Sequence, residues 1–170
     1  ANIDHLAEAT IFFTGDNKWR NFQEWPIKNM KMTPLYLHGK EKLLWTAPAS
    51  KNNFSEYVSD PAKPVPYTED VHFRRTNAYM TDDQRFASRR SDVLTFQTEI
   101  LNEDVTLGGT VIADLFTSLT GTDADFIVKV IDVLPSDFQY PDERYDSGRN
   151  GSDFYPMGDY QMLVRGEVMR

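Results

Sequence analysis

The run Asp125–Pro135, reading Asp-Phe-Ile-Val-Lys-Val-Ile-Asp-Val-Leu-Pro, constrains this chain more than any other segment. With a period of two, Ile127, Ile131 and Val133 share one face with Lys129. Phe126, Val128 and Val130 share the other with Asp132. A strand apolar on both faces for most of its length fits the middle of a sandwich better than an open sheet. Pro135, which has no N–H to give to a ladder, closes it.

Other segments repeat the pattern. Asp92–Thr98 mixes β-branched and aromatic residues over strand length, and Thr110–Leu119 follows a Gly108–Gly109 break. Tyr160–Val168 reads as one more strand running to the end of the chain. The first half is looser. Ala9–Phe13 reads as a short strand stopped by the turn signal Gly15-Asp16-Asn17, and Leu35–His38 and Phe54–Val58 as two further short strands. Three prolines between Asp60 and Tyr67 force an extended path. Helical periodicity is limited to one turn near Asp82–Ser88, there is no internal repeat, and Tyr145–Asp153 reads as a flexible loop. Short strands separated by Gly, Pro and Asp predict an all-β sandwich or jelly roll.

A chain of 170 residues suits one domain, and 40% hydrophobic with 13% aromatic residues is too apolar for a disordered tail. The net charge of −8 repels phosphate backbones, so no nucleic-acid partner is expected. Arg74–Arg75 and Arg89–Arg90 sit among Asp70, Asp82, Asp83 and Asp92 and read as solvated or ion-paired surface. Cysteine is absent, which removes disulfides and thiolate chemistry together. No apolar run approaches the roughly 20 residues needed to span a bilayer. The opening Ala-Asn-Ile-Asp lacks Met and a signal peptide, so an upstream part is expected.

The search for chemistry is largely negative. A hydrolytic triad needs a nucleophile, a base and an orienting carboxylate, and the nucleophile elbow G-x-S-x-G does not occur. The three histidines, His5, His38 and His72, show no pattern of a general base. Asp123 with Asp125, and Asp146 with Asn150 and Asp153, offer oxygen ligands, but turn chemistry accounts for both sets more simply. Glu99, Glu103 and Asp104 read as solvated residues flanking a turn. No metal and no cofactor is expected. Trp19 and Trp25 bracket a stretch with no strong secondary structure of its own. They fit an internal core, a contact with another domain, or a ligand platform.

Several motifs are familiar together. Thr14–Arg20 followed by Trp25-Pro26 resembles the passage from the catalytic to the C-terminal domain in X-Pro dipeptidyl-peptidase and cocaine-esterase type serine hydrolases. Asp60–Pro66 resembles that domain's proline-rich crossing, and Asp82–Arg85 with Arg90–Thr95 its next landmark. Gly121–Phe126, Val128–Pro135 and Gly158–Met162 are similar to the branch of α-amino-acid ester hydrolases and cephalosporin acylases. The order is right over nearly the whole chain.

The resemblance implies a galactose-binding-domain-like jelly-roll β-sandwich, truncated at its C-terminus, that packs on a catalytic α/β-hydrolase domain of the same parent chain. Residues 1–26 would be the tail and junction, and 27–170 the accessory domain. The family's Ser, Asp and His would lie upstream, so no catalytic residue is carried over. His72, Phe73 and Arg74 match a stretch that approaches the acyl pocket, the plainer alternative being a surface loop with Phe73 tucked into the core. Trp19 and Trp25 are domain-interface candidates. Periplasmic or secreted location follows from the family alone, and a homo-oligomer stays open. A different class of function, a stand-alone carbohydrate-binding module, would use Trp19, Trp25 and Trp45 as stacking platforms.

Overall fold

The computed structural model describes residues 6–50, 54–74, 76–140 and 155–169. Two compact units emerge, Ala1–Asn53 with Phe96–Ile112, and Phe54–Thr95 with Ala113–Arg170.

The first unit holds two antiparallel hairpins. Strand β1, Ala9–Phe13, pairs with β2, Lys18–Phe22. The turn between them needs one left-handed residue, and Asn17 takes it at φ 52°; asparagine tolerates that region because its short amide bonds locally. Phe13, Phe22, Arg20 and Ile11 share one face of the hairpin by register, while Phe12 and Trp19 lie directly opposite each other on the other. Aromatic pairs of this kind are the stabilising unit of a two-stranded ribbon. Strand β3, Tyr36–His38, pairs with β4, Lys42–Leu44, around a turn with Lys40 and Glu41 both at φ 61°. Gln97 runs parallel beside β4, accepting from the Leu43 N–H at 2.9 Å and donating to the Glu41 carbonyl at 2.9 Å.

The second unit is built on β5, Phe126–Val133, paired with β8, Gln161–Met169. Val130 faces Arg165 but Ile131 faces Leu163, so Val164 is an extra residue in β8. A two-residue pair, β6 Gln139–Tyr140 with β7 Tyr155–Pro156, follows. Gly158 returns the chain so tightly that a Cβ there would lie 2.1 Å from the Ser136 carbonyl oxygen. Only glycine fits such an approach. Among the described residues, helix is confined to a 3-10 turn, Ala78–Met80, and one four-residue turn, α1, Arg85–Ser88.

The fold is all-β, as the strand patterning implies; Ala9–Phe13 forms as read, and the strands read at 35–38, 125–134 and 160–168 form as Tyr36–His38, Phe126–Val133 and Gln161–Met169. Three expected strands do not. Phe54–Val58 and Thr110–Leu119 are irregular, and of Asp92–Thr98 only the Gln97 bridge remains. Strand propensity measures fit to a half-buried pleated surface, and among the described residues no strand pairs with Phe54–Val58 or Thr110–Leu119. Phe116 is fully exposed, and Ile112 largely so. Conversely Lys18–Phe22, read as irregular, is a strand, because the Asn17 turn folds it back on β1. Each described sheet has two strands. Among the described residues only Ala87 and Gln84 are buried.

Candidate functional site

The strongest organisation of polar groups lies in the second unit, where Asp82–Ser88 meets β5 and β8. Gln84 is 1% exposed, the one described residue with a fully buried side chain. A buried amide needs a hydrogen-bond partner at both its nitrogen and its oxygen, and this one has both. Its Nε2 donates to the Asp82 carbonyl at 2.8 Å, and its Oε1 accepts from Lys129 Nζ at 2.6 Å. Its backbone N–H donates to the Gln161 carbonyl at 3.0 Å, and its carbonyl accepts from Ala87 and Ser88. Three sequence-distant pieces therefore meet at one residue.

The charges around Gln84 are arranged in order. Burial disfavours the charged Asp83 carboxylate, but hydrogen bonds from the Arg85 side chain, the Arg85 N–H and the Gln161 N–H outweigh it and hold Asp83 below the ordinary carboxylate range. Asp83 in turn raises Arg85. Burial lowers the Lys129 ammonium, with Asp82 opposing, and its Nζ stands 5.4 Å from the centre of the Phe86 ring. The Tyr160 hydroxyl donates to the Thr81 carbonyl.

Immediately upstream, residues 67–82 form a loop whose ends meet. The Tyr67 and Tyr79 rings lie 4.8 Å apart, and the Glu69 N–H points at Asp82 Oδ2 at 3.4 Å. One leg is braced by the Thr68 hydroxyl on the Asp70 carbonyl, the other by the 3-10 turn and the Ala78 N–H on the Thr76 hydroxyl. His72, Phe73 and Arg74 lie on this loop, all exposed, with Phe73 and Val71 fully so. Phe73 is therefore not tucked into the core, and that half of the plainer expectation is corrected. Its side chain has no described apolar surface to pack on.

The proline-rich crossing is tied down separately. Arg90 makes a two-pronged bond to Asp92, at 2.8 and 2.6 Å, and reaches the Lys63 carbonyl at 3.1 Å. The Asp60 carboxylate accepts the Ala62 N–H, closing the turn at Pro61. Arg90 thus falls in the ion-paired class expected of it, and its bond to Asp92 raises the guanidinium and lowers the carboxyl.

The tryptophans lie in the first unit. Trp25 packs on Phe22 at 5.6 Å and is joined to Pro26 by a cis peptide, while Trp19 stays 69% exposed beside Phe12 at 5.2 Å. His38 bonds the Thr46 carbonyl at 2.8 Å, and Glu99 pairs with Lys42 at 3.0 Å. His5, Arg75, Asp146, Asn150 and Asp153 lie outside the described residues. Among the described residues no group of three or more His, Cys, Asp or Glu side chains is placed to hold a metal ion, and no helix is long and apolar enough to cross a membrane. The Gln84 assembly was not singled out as a site from sequence. The one available signal is Lys129, a cation on an otherwise apolar strand face.

Comparison with known proteins comes out consistently. The family model described as X-Pro dipeptidyl-peptidase C-terminal non-catalytic domain matches residues 3–169. Cocaine esterase from Rhodococcus sp. (strain MB1 Bresler) is 34% identical over 138 residues, covering 76% of this chain and 24% of the esterase. A crystal structure of an aminopeptidase from the marine sediment archaeon Thaumarchaeota archaeon is similar with a TM-score of 0.72 at 28% identity, covering 97% of this chain and 26% of that one. The chain spans about a quarter of the length of each.

Proposed function

The chain belongs to the family of X-Pro dipeptidyl-peptidase C-terminal non-catalytic domains, and on that premise we propose that it packs on a catalytic α/β-hydrolase domain of a serine hydrolase and shapes its substrate cleft. Residues 1–26 would be the junction and 27–170 the accessory domain, closing as a jelly roll. The parent would act on X-Pro peptides, amino-acid esters or β-lactam acyl groups.

The observation that carries this proposal is the loop at 71–74. A fully exposed phenylalanine at the head of a braced loop has little to do in isolation, because exposed aromatic surface of this kind marks contact sites. Phe73 beside His72 and Arg74 offers an apolar wall with polar flanks, which suits one side of a cleft lined mostly by another domain. Trp19, exposed on β2, is the second contact proposed, with Trp25 behind it on the other face of the hairpin.

The purified chain should show no turnover of an activated ester such as p-nitrophenyl acetate above buffer. Robust turnover abolished by a serine-directed sulfonyl fluoride would overturn the proposal. The reading frame upstream of Ala1 should encode G-x-S-x-G followed by Asp and His. A carbohydrate-binding module has one observation in its favour, the exposure of Trp19. Titration of intrinsic tryptophan fluorescence with polysaccharides should stay flat; a saturable change would favour that alternative.

A further inference from the structure

We propose that Gln84 is a positioning residue, a buried polar pin that fixes loop 67–82 on the β5–β8 pair and so sets where Phe73 stands. The use of that position, in a cleft, rests on the function proposed above; the pin itself does not.

Loop 67–82 leaves and re-enters the unit at one place, and its closing leg runs directly into Gln84. From Thr81 to Gln84 the chain is bonded at successive residues. The Thr81 carbonyl accepts from the Tyr160 hydroxyl, the Asp82 carbonyl from the Gln84 amide, the Asp83 carboxylate from the Gln161 N–H at 3.3 Å, and the Gln84 N–H donates to the Gln161 carbonyl. Lys129 completes the set from β5. The β8 and β5 partners stand 45 to 79 residues away in sequence.

The fastening is polar and directional, part-buried around a fully buried Gln84, and this matters for a loop with an exposed apolar tip. An apolar base could slide, because dispersion contacts are individually weak and non-directional. A buried amide bonded at both its nitrogen and its oxygen favours one arrangement, since a shift strands a donor or an acceptor at a cost. The clasp of Tyr67 on Tyr79 then narrows the loop above the pin. A preorganised contact loses less conformational entropy when it engages, so the geometry suits a tip that must be in place before a partner or substrate arrives.

The chain contains no cysteine, so an introduced one can be labelled uniquely. Phe73→Cys and Glu167→Cys, both at exposed positions of the same unit, would carry a nitroxide pair for distance measurement. The native background should give a single narrow distance distribution. Gln84→Ala should widen it by on the order of twofold, with local opening of the 67–82 amides to hydrogen exchange. Gln84→Glu, which keeps an acceptor for Lys129 but has no N–H for the Asp82 carbonyl, should restore only part of the narrowing. A distribution already broad in the native background would overturn the pin, as would a narrow one that survives Gln84→Ala. Where Gln84→Ala fails to fold, Lys129→Met removes one bond only and Tyr67→Leu opens the clasp alone. The first should broaden the distances and the second should broaden them less; no change in either also overturns the proposal. None of these readings depends on hydrolase activity, so the pin and the proposed function can fail separately.

Discussion

The β1–β2 hairpin and the Gln84 assembly reach order by opposite routes. In the hairpin every contact is local. Phe12 meets Trp19, Phe13 meets Phe22, Phe22 meets Trp25, and Arg20 sits 4.5 Å from the centre of the Phe13 ring. Its ion pair, Asp16 with Arg20, is exposed. A ribbon of two strands held this way is marginal in water on its own. Around Gln84 the contacts span most of the second unit's chain length, are polar, and are part-buried about one fully buried side chain. Local aromatic stacking survives the loss of any one member in reduced form, whereas a polar network loses shared partners when one member leaves.

The largest expected effect tests that asymmetry. Gln84→Leu strands the Lys129 ammonium and the Asp82 carbonyl, and leaving such buried groups unpaired should destabilise the second unit by about 2–4 kcal/mol. Phe22→Ala removes the ring that touches both Phe13 and Trp25 and should cost the first unit about 1–3 kcal/mol, from two aromatic contacts and the area they cover. All three tryptophans, Trp19, Trp25 and Trp45, belong to the first unit, so urea unfolding followed by their fluorescence reports that unit. Hydrogen exchange of β5 and β8 reports the other. Gln84→Leu should move the exchange and leave the fluorescence midpoint unchanged, and Phe22→Ala the reverse. If both variants move both probes equally, the contrast between the regions is lost.

A smaller effect is expected from the turn that makes the hairpin possible. Asn17 sits at φ 52°, where a residue with a Cβ and no side-chain amide is strained. Asn17→Ala should lower hairpin stability by about 1 kcal/mol, and Asn17→Gly should be close to neutral, since glycine adopts this region freely. The ratio of β1–β2 amide protection in the two variants checks it. Equal protection would mean that the aromatic face alone sets the ribbon.

The two regions were also unequally legible in the sequence. β5 is readable because apolar, mostly β-branched residues fill both of its faces over eight positions, and β8 because apolar residues recur over strand length up to Met169. The turn at Gly15–Asn17 is readable because turn residues act locally. Strand β2 is not, because Lys-Trp-Arg-Asn-Phe carries no clean alternation and becomes a strand through its partner. Thr110–Leu119 fails in the other direction: its propensity is high and it has no described strand beside it. Of the candidate site, the family motifs mark Asp82–Arg85 as a landmark without saying what it does. The meeting of Gln84 with Lys129 and Gln161 cannot be read from spacing, because it depends on a crossing of 45 and 77 residues. His72–Arg74 could be placed on a loop by composition, but the exposure of Phe73 follows from the bracing beneath it.

The smallest expected effect is the pH dependence, and it separates the regions by solvent shielding. Asp83 is held below its ordinary value of 3.8 in the folded state. The unfolded chain therefore binds this proton first as acid is added, and the stability Asp83 contributes is fully present above 3.8 and lost as pH falls through its folded value. Asp16 is lowered by Arg20 in the same sense. Its pair is exposed, so its contribution is weak and should disappear in 1 M salt, where the screening length is about 3 Å. On the alkaline side the sign reverses in origin. Burial lowers Lys129 from 10.5, so the unfolded chain holds the proton longer, and stability of the second unit should rise with pH between the folded value and 10.5. Amide exchange measured in each unit from acid to alkali, at low and high salt, checks all three. The second unit should keep its acid loss in salt because Asp83 is only partly reachable by solvent, while the hairpin should lose its own. Should salt erase both equally, the Asp83–Arg85 pair is no better shielded than the surface pair, and the polar assembly around Gln84 is wetter than its geometry implies.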